Sequence, residues 1–485
     1  MGDLDPALTD LDTRHARKAS GFVPLEERCL TSPEHSNFAL KPAASRGVPR
    51  WVIPMIGLAA LALAALLYHY DLDLYFRLLH VLMVTPYVPP FIDGQQIPAV
   101  IACWRMGVDV FVNAPCDPQG RVFAYSPLWL RATFLEVPWT PWIGLVIDSV
   151  VIVSLALLPL PRSRRDTVLF ALAMLSGMPV FALERLNIDV IMFLLILFAG
   201  WCWTQSSALR FVGYPLMALA GFLKFYPLTL FLLFLRERLA GFILLSAAGL
   251  LLVAAFFWAF HGELAEALQN VPHFRAISEV FGAVQLPSGI GRALDVLLGG
   301  PAGAEPNIHS PVIAASVLLV MALFMLSASL WLARRADFAA SLRALARAEF
   351  GFLLIGAVLL SFCFVGAQNL YYRGIHLLFI MPAMLALARG SGSASSRRLF
   401  GFTLGTVLFV MWSMTLQRDV VYLTGGPIAS GDPGTVYAPP VYLFWIFREL
   451  AWWWIVTVLL AVIYRFVLES PVWQSLRLVP RPAPA

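Results

Sequence analysis

The sequence predicts an all-α fold, a polytopic transmembrane helical bundle with a structured first extracytoplasmic loop. Three observations carry that reading. Apolar runs of roughly twenty residues recur along the 485 residues, each long enough to cross the hydrocarbon core of a bilayer. Only 13% of residues are charged and 60% are hydrophobic, with mean hydropathy +0.77, where a soluble domain carries about 25% charged residues. The arginines gather in short clusters between the apolar runs, the pattern that sets which side a loop occupies. A net charge of +5 and a pI near 9.0 would point to nucleic acid in a soluble protein. Here the basic residues mark topology, so the lipid bilayer is the expected surrounding and no nucleic-acid partner is expected.

Residues 1–50 mix charges with Pro, Ser and Ala and show no period, which reads as a disordered cytoplasmic tail. The membrane domain is expected over 51–466, with about twelve spans near 51–70, 141–160, 166–183, 188–204, 209–222, 227–235, 241–260, 311–333, 351–367, 374–388, 399–416 and 441–466. "PRSRRD", "RER" at 236–238, Arg334-Arg335 and "ARGSGSASSRR" mark cytoplasmic turns, which leaves both termini, including a tail at 467–485, in the cytoplasm. Two long loops then face outward, 71–138 and 261–310. The stretch 74–90 has an apolar face and is expected to lie along the interface as an amphipathic helix. No fixed internal repeat is visible.

The five cysteines show no metal-ligand spacing. Cys202 and Cys363 fall in apolar runs and read as packing residues. Cys103 and Cys116 share the first outer loop, where an oxidising compartment permits a disulfide that their spacing alone does not establish.

Polar clusters fall at the outer ends of the spans: Asp93 with Asp109, Glu184 to Asp189, Lys224, Arg373 with His376, and Arg418-Asp419. Ionisable groups at membrane depth are costly, and they line a cavity or pair with one another. One carboxylate with several cations at one leaflet suits a reaction on a phosphate-bearing lipid. The carboxylate takes a proton from an attacking hydroxyl, and the cations hold the departing phosphate. Asp93 reads either as a cap of the helix that follows or as the charge the site needs. The second reading is favoured, because Ser or Asn would cap as well. Asp109 and Asp117 read as turn residues. Lys224 either snorkels to headgroups or serves the site, and "YYR" at 371–373 either anchors the interface or places Arg373 and His376 on one helical face.

With these residues on the page, the chain resembles the GT-C integral-membrane glycosyltransferases, specifically the polyprenyl-phosphate-sugar-dependent mannosyltransferase-like group, glycosyltransferase family 87. Several places carry the likeness. Asp93 at the mouth of the first outer loop is followed by a helix and a Gly-x-Asp-x-aromatic turn from Gly107 to Phe111, which contains Asp109. "VFAYSPLW" is similar to the family's Asn-Tyr-Pro-Pro-type element, matched at Tyr125 and departing from it at Ala124 and Ser126. "LERLNIDVIMF" is similar to its Asn-bearing outer turn, matched at Asn187. "GFLKFYPL" is similar to its Lys-x-Tyr-Pro element, matched at Lys224, Tyr226 and Pro227. "NLYYRGIHLLFIMP" is similar to its late basic span.

The resemblance implies a fold of GT-C type and an inverting transfer of a mannose-like sugar. The donor would be a polyprenyl-phosphate sugar and the acceptor a glycolipid or a glycan, at the extracytoplasmic face of the cytoplasmic membrane. It makes Asp93 the general base and Lys224, Arg373 and His376 the donor-phosphate ligands, with Asp109, Tyr125, Asn187 and Tyr226 contacting substrate. No cofactor and no metal are expected. The rival reading from another class is a multi-pass secondary transporter or flippase, which shares this hydropathy.

Overall fold

The fold is taken from a computed structural model, which describes residues 48–476 apart from 137–138, 160, 162, 272–279, 298–308, 367, 391 and 427–436. The tail expected over 1–50 lies outside the described residues as far as residue 47, and so does the end of the C-terminal tail from 477. The described chain is helical almost throughout, as a chain solvated by lipid must be if its backbone groups are to bond to one another.

In order, the elements are α1 (Val52–Tyr70), α2 (Leu72–Val81), α3 (Ile92–Arg105), α4 (Leu128–Arg131), α5 (Pro141–Ser154), α6 (Arg164–Met174), α7 (Gly177–Arg185), α8 (Ile188–Thr204) and α9 (Ser207–Leu223). A 3-10 helix, Tyr226–Arg236, leads to α10 (Leu239–Gln269), β1 (Val280–Phe281), α11 (Gln285–Leu297), α12 (His309–Arg334), α13 (Ala336–Arg343) and α14 (Arg347–Gly366). Then follow β2 (Asn369–Leu370), a 3-10 turn (Tyr371–His376), α15 (Leu377–Arg389), α16 (Ala394–Leu423), α17 (Pro439–Glu469) and α18 (Pro471–Leu476). Seven of these helices are long and apolar enough to cross a bilayer. An eighth span is made if α6 and α7, bent by 49° at their junction, count together. Four shorter apolar helices cover Pro141–Leu157, Ile188–Thr204, Ser207–Leu223 and Tyr226–Arg236. The chain is a multi-pass membrane protein.

Helix starts are set by short polar side chains that accept otherwise unbonded backbone N–H groups. Asp71 caps α2 through Leu74 N, Ser163 caps α6 through Asp166 N, and Ser206 caps α9 through Leu209 N. The core lies where α8, α14 and α15 meet, with Phe193 and Phe379 stacked at 4.5 Å and Phe352 beyond them. By contrast, α10 and α12 expose most of their apolar side chains, as lipid-facing rods do.

Several boundaries differ from expectation. The amphipathic helix expected over 74–90 ends at Val81, where Met83 turns left-handed at φ +56° and Val84 N bonds back to Leu79 O at 2.9 Å. The loop expected from 261 begins as helix: α10 kinks at Phe260 and continues to Gln269. That extension grips the first loop. Asn270 donates to the carbonyls of Phe111 and Phe123 at 2.7 and 3.1 Å, and Arg131 pairs with Glu263 at 2.5 Å. Similarly, α16 runs on to Leu423 and α17 to Glu469. The first loop is further fastened by a Cys103–Cys116 disulfide, while Cys202 and Cys363 are free and buried.

Candidate functional site

Asp93 sits in the first turn of α3, where the helix dipole favours a negative charge. It is not the cap: that position is Phe91, with no side-chain bond. The Asp93 carboxylate bonds sideways instead, Oδ1 to Arg121 Nη1 at 2.5 Å and Oδ2 to Asn187 Nδ2 at 2.9 Å. Its side chain is 12% exposed.

Two backbone outliers aim this pair. Phe91 has φ +63° and Leu186 has φ +46°, a region that non-glycine residues rarely occupy. Each lies just ahead of a site residue, Asp93 and Asn187. Strain held at such positions requires surrounding bonds. Glu184 supplies them, its carbonyl accepting from Phe91 N at 3.0 Å and its Oε1 from Tyr87 N at 3.3 Å. Glu184 also faces Arg185 at 3.5 Å, so it does more than pair with its neighbour.

From Asn187 the network continues inward. Its Oδ1 caps α8 through Asp189 N at 3.1 Å and accepts from Lys224 Nζ at 3.4 Å. Lys224, at the end of α9, donates to Asp189 Oδ2 at 2.7 Å, and Arg373 Nε reaches the same oxygen at 3.4 Å. Two cations therefore share one fully buried carboxylate, which leaves a positive excess. Tyr226 Oη lies 2.9 Å from Asp189 Oδ1 and 2.6 Å from His376 Nε2. A hydroxyl that donates to the carboxylate accepts from Nε2–H, which fixes the tautomer with Nδ1 bare; Nδ1 has no partner among the described residues. Arg373 also bonds Asn369, which the β1–β2 pairing holds through Phe281.

Asp93, Asn187, Lys224, Tyr226, Arg373 and His376 thus join one hydrogen-bonded chain, although they span 283 positions of sequence if counted from 93 to 376. Tyr125 lies against it: Lys224 Nζ is 5.3 Å from its ring centre. Burial pushes the Tyr125 phenol well up, and the charges of Asp93 and Asp189 add to that. Trp129, from the same "YSPLW" stretch, donates to Leu223 O at 3.1 Å and so holds this loop against Lys224.

Two expected site residues stand elsewhere. Asp109 is exposed, and its carboxylate accepts from Phe111 N at 3.0 Å, a turn role that leaves it outside the network. His376 is fully buried, stacked on Phe193 and Phe379, and reaches Asp189 through Tyr226. It supports the cluster from behind, with its Nε2 taken up by Tyr226. Arg418 and Asp419 pair with each other, and Arg418 reaches His80 O at 3.4 Å.

Sequence reasoning missed two members. Asp189 is the hub of the cations, and Arg121 bridges two carboxylates. Arg121 grips Asp117 with Nε and Nη2, both at 3.0 Å, while Nη1 holds Asp93. Burial alone would lower the Arg121 pKa, but the bonds to Asp117 and Asp93 outweigh it and hold the guanidinium above its ordinary value. Asp117 is also the turn residue expected, accepting from Gln119 N and Arg121 N.

No family model, no curated protein and no solved structure matches this chain.

Proposed function

We propose that the protein is an integral-membrane glycosyltransferase that moves a mannose-like sugar from a polyprenyl-phosphate donor to a hydroxyl of a glycolipid or glycan. The observation that carries this reading is the bond path from Asp93 through Asn187 to Lys224, Asp189 and Arg373. It puts a partly exposed carboxylate beside a cluster with net positive charge. A carboxylate offers about four lone-pair positions, and Asp93 uses two of them, so a substrate hydroxyl has room to bond.

In the proposed reaction the acceptor hydroxyl gives its proton to Asp93. Its oxygen bonds to the anomeric carbon while the bond from that carbon to the donor phosphate breaks, with inversion. The bonding pair leaves with the phosphate, whose growing charge Lys224 and Arg373 take up. Arg121 and Asn187 aim the base; Asp189, Tyr226 and His376 hold the cations in place. The Cys103–Cys116 bridge in the loop that carries Arg121 supports an oxidising, extracytoplasmic side for the site, as do the arginine clusters of the opposite turns. The cytoplasmic membrane is then the expected location.

One observation favours a second reading, a transporter or flippase: α6 and α7 form a broken helix beside the network. Radiolabelled polyprenyl-phosphate sugar added to membranes separates the two. Label transferred to an acceptor and lost with Asp93→Asn supports the enzyme. Transfer undiminished in Asp93→Asn removes the base assignment, and solute uptake without transfer removes the enzyme.

A further inference from the structure

The ends of the helices opposite Asp93 carry a second set of cations. Four elements run between the two places. α8 starts beside Asp189 and ends just past Trp203; α9 runs from near Arg210 to Lys224. The 3-10 helix runs from Tyr226 to Arg236, and α14 from Arg347 to Cys363, whose carbonyl accepts from Asn369, the partner of Arg373. At the rise of each helix type these rods are about 20–24 Å long, so the second set is separate from the first.

Here the Arg236 guanidinium lies over the buried Trp203 indole, 4.3 Å from its centre, and donates Nη1 to Trp203 O at 3.4 Å. Arg210 pairs with Glu237 at 3.1 Å, and Glu237 also accepts from Tyr214 Oη at 2.7 Å. Arg347 is exposed and has no hydrogen bond or ion pair among the described residues. One turn on from Arg347, Gly351 of α14 packs against Thr204 and Trp203, where an added Cβ would fall 3.2 Å from Trp203 Cζ3, so Arg347 stands at the same helix ends as Arg236. Glu349, the other carboxylate nearby in sequence, accepts from Ala346 N at 3.0 Å. Like charges gathered in this way favour an anion among them. Exposed apolar side chains flank the group: Phe211 and Val212 follow Arg210 on α9, and Ile243 and Leu244 stand one turn into α10. Cations beside an apolar, bilayer-facing surface match a ligand with a charged head and a hydrocarbon tail.

We propose that Arg210, Arg236 and Arg347 seat the phosphate of an acidic phospholipid from the leaflet opposite the Asp93 site. Trp203 holds Arg236 flat at the headgroup level, Arg347 closes on the phosphate from α14, and the acyl chains run along Phe211 and Leu244. The reading is independent of the proposed sugar transfer.

The test titrates phosphatidylglycerol into the full-length protein in detergent and counts bound lipid by native mass spectrometry. Arg347→Gln removes an exposed, unpaired side chain and leaves packing intact. It should weaken the first lipid on the order of tenfold. Arg398→Gln removes an equally exposed arginine, unpaired among the described residues, from the start of α16 and should leave that affinity unchanged. Phosphatidylcholine should bind the parent and both variants alike. Equal phosphatidylglycerol affinity in Arg347→Gln and the parent overturns the seat, and so does an equal loss in Arg398→Gln. Displacement of the lipid by inorganic phosphate, but not by sodium chloride of the same ionic strength, overturns the lipid and gives the seat to a free anion.

Discussion

Replacing Asp189 by Asn separates structure from chemistry in this site. The side chain is fully buried and receives Lys224 at 2.7 Å, Tyr226 at 2.9 Å and Arg373 at 3.4 Å. Asn keeps the shape and loses the charge, so Lys224 and Arg373, with side chains 8% and 21% exposed, are left facing each other without a counter-ion. Removing one partner of a buried ion pair costs about 3–5 kcal/mol, because the other charge stays buried. Asp93→Asn differs: that side chain is less enclosed and keeps a hydrogen-bonding oxygen for Asn187, so its structural cost should be about 1–2 kcal/mol. The assay is thermal denaturation of detergent-solubilised protein beside sugar transfer in membranes. Asp189→Asn should lower Tm by roughly 3–5 °C and abolish transfer. Asp93→Asn should reduce transfer by about 10²–10⁴-fold with little change in Tm. Adding Lys224→Met to Asp189→Asn should recover at least half of the lost Tm, since it removes one of the stranded charges. An Asp189→Asn protein that melts with the parent, or a double variant less stable than the single, would refute the buried-charge argument.

Tyr226→Phe cuts the links to both Asp189 and His376 and should cost about 1.5–3 kcal/mol, read as a lower Tm, with donor KM unchanged because Lys224 and Arg373 remain. Gly144 lies under the Phe91 ring, and an added Cβ would fall 2.3 Å from Cδ2. Gly144→Ala should therefore push the start of α3 outward and lower kcat about tenfold, checked by transfer rates at saturating donor. The five cysteines include one bridge, so the denatured, unreduced chain should take up maleimide at three sites and at five after reduction, counted by intact mass. Arg121→Gln should loosen the Asp93 end without exposing a buried charge, lowering transfer while changing Tm by less than about 2 °C.

Much of this was legible because a bilayer restricts what a backbone can do. Among the described residues, the apolar runs read between 51 and 466 are helical. Lys224, Asn187 and Arg373 drew notice as polar residues at the ends of such runs. Asp189 did not. Two residues after an Asn, it looks like an ordinary acid in a first helical turn, and its meaning comes from Lys224 and Arg373, 35 and 184 residues away. Asp117 was legible as a turn residue, but its second task, holding Arg121 against Asp93, depends on how the turn lies over α3. The kink at Phe260 has no proline or glycine at its centre to announce it. It follows from the grip of Glu263 and Asn270 on the first loop.

The segment Tyr226–Arg236 is wound as a 3-10 helix over 11 residues, although such windings seldom exceed three or four. Of its buried side chains Pro227, Leu230, Leu233 and Phe234, the first three recur every third position, in step with that winding. Wound this way it extends about 22 Å, against about 16 Å as an α-helix. A change of winding at fixed Arg236 would draw Tyr226 roughly 5 Å away from its partners. The grip on Asp189 thus depends on this segment staying extended.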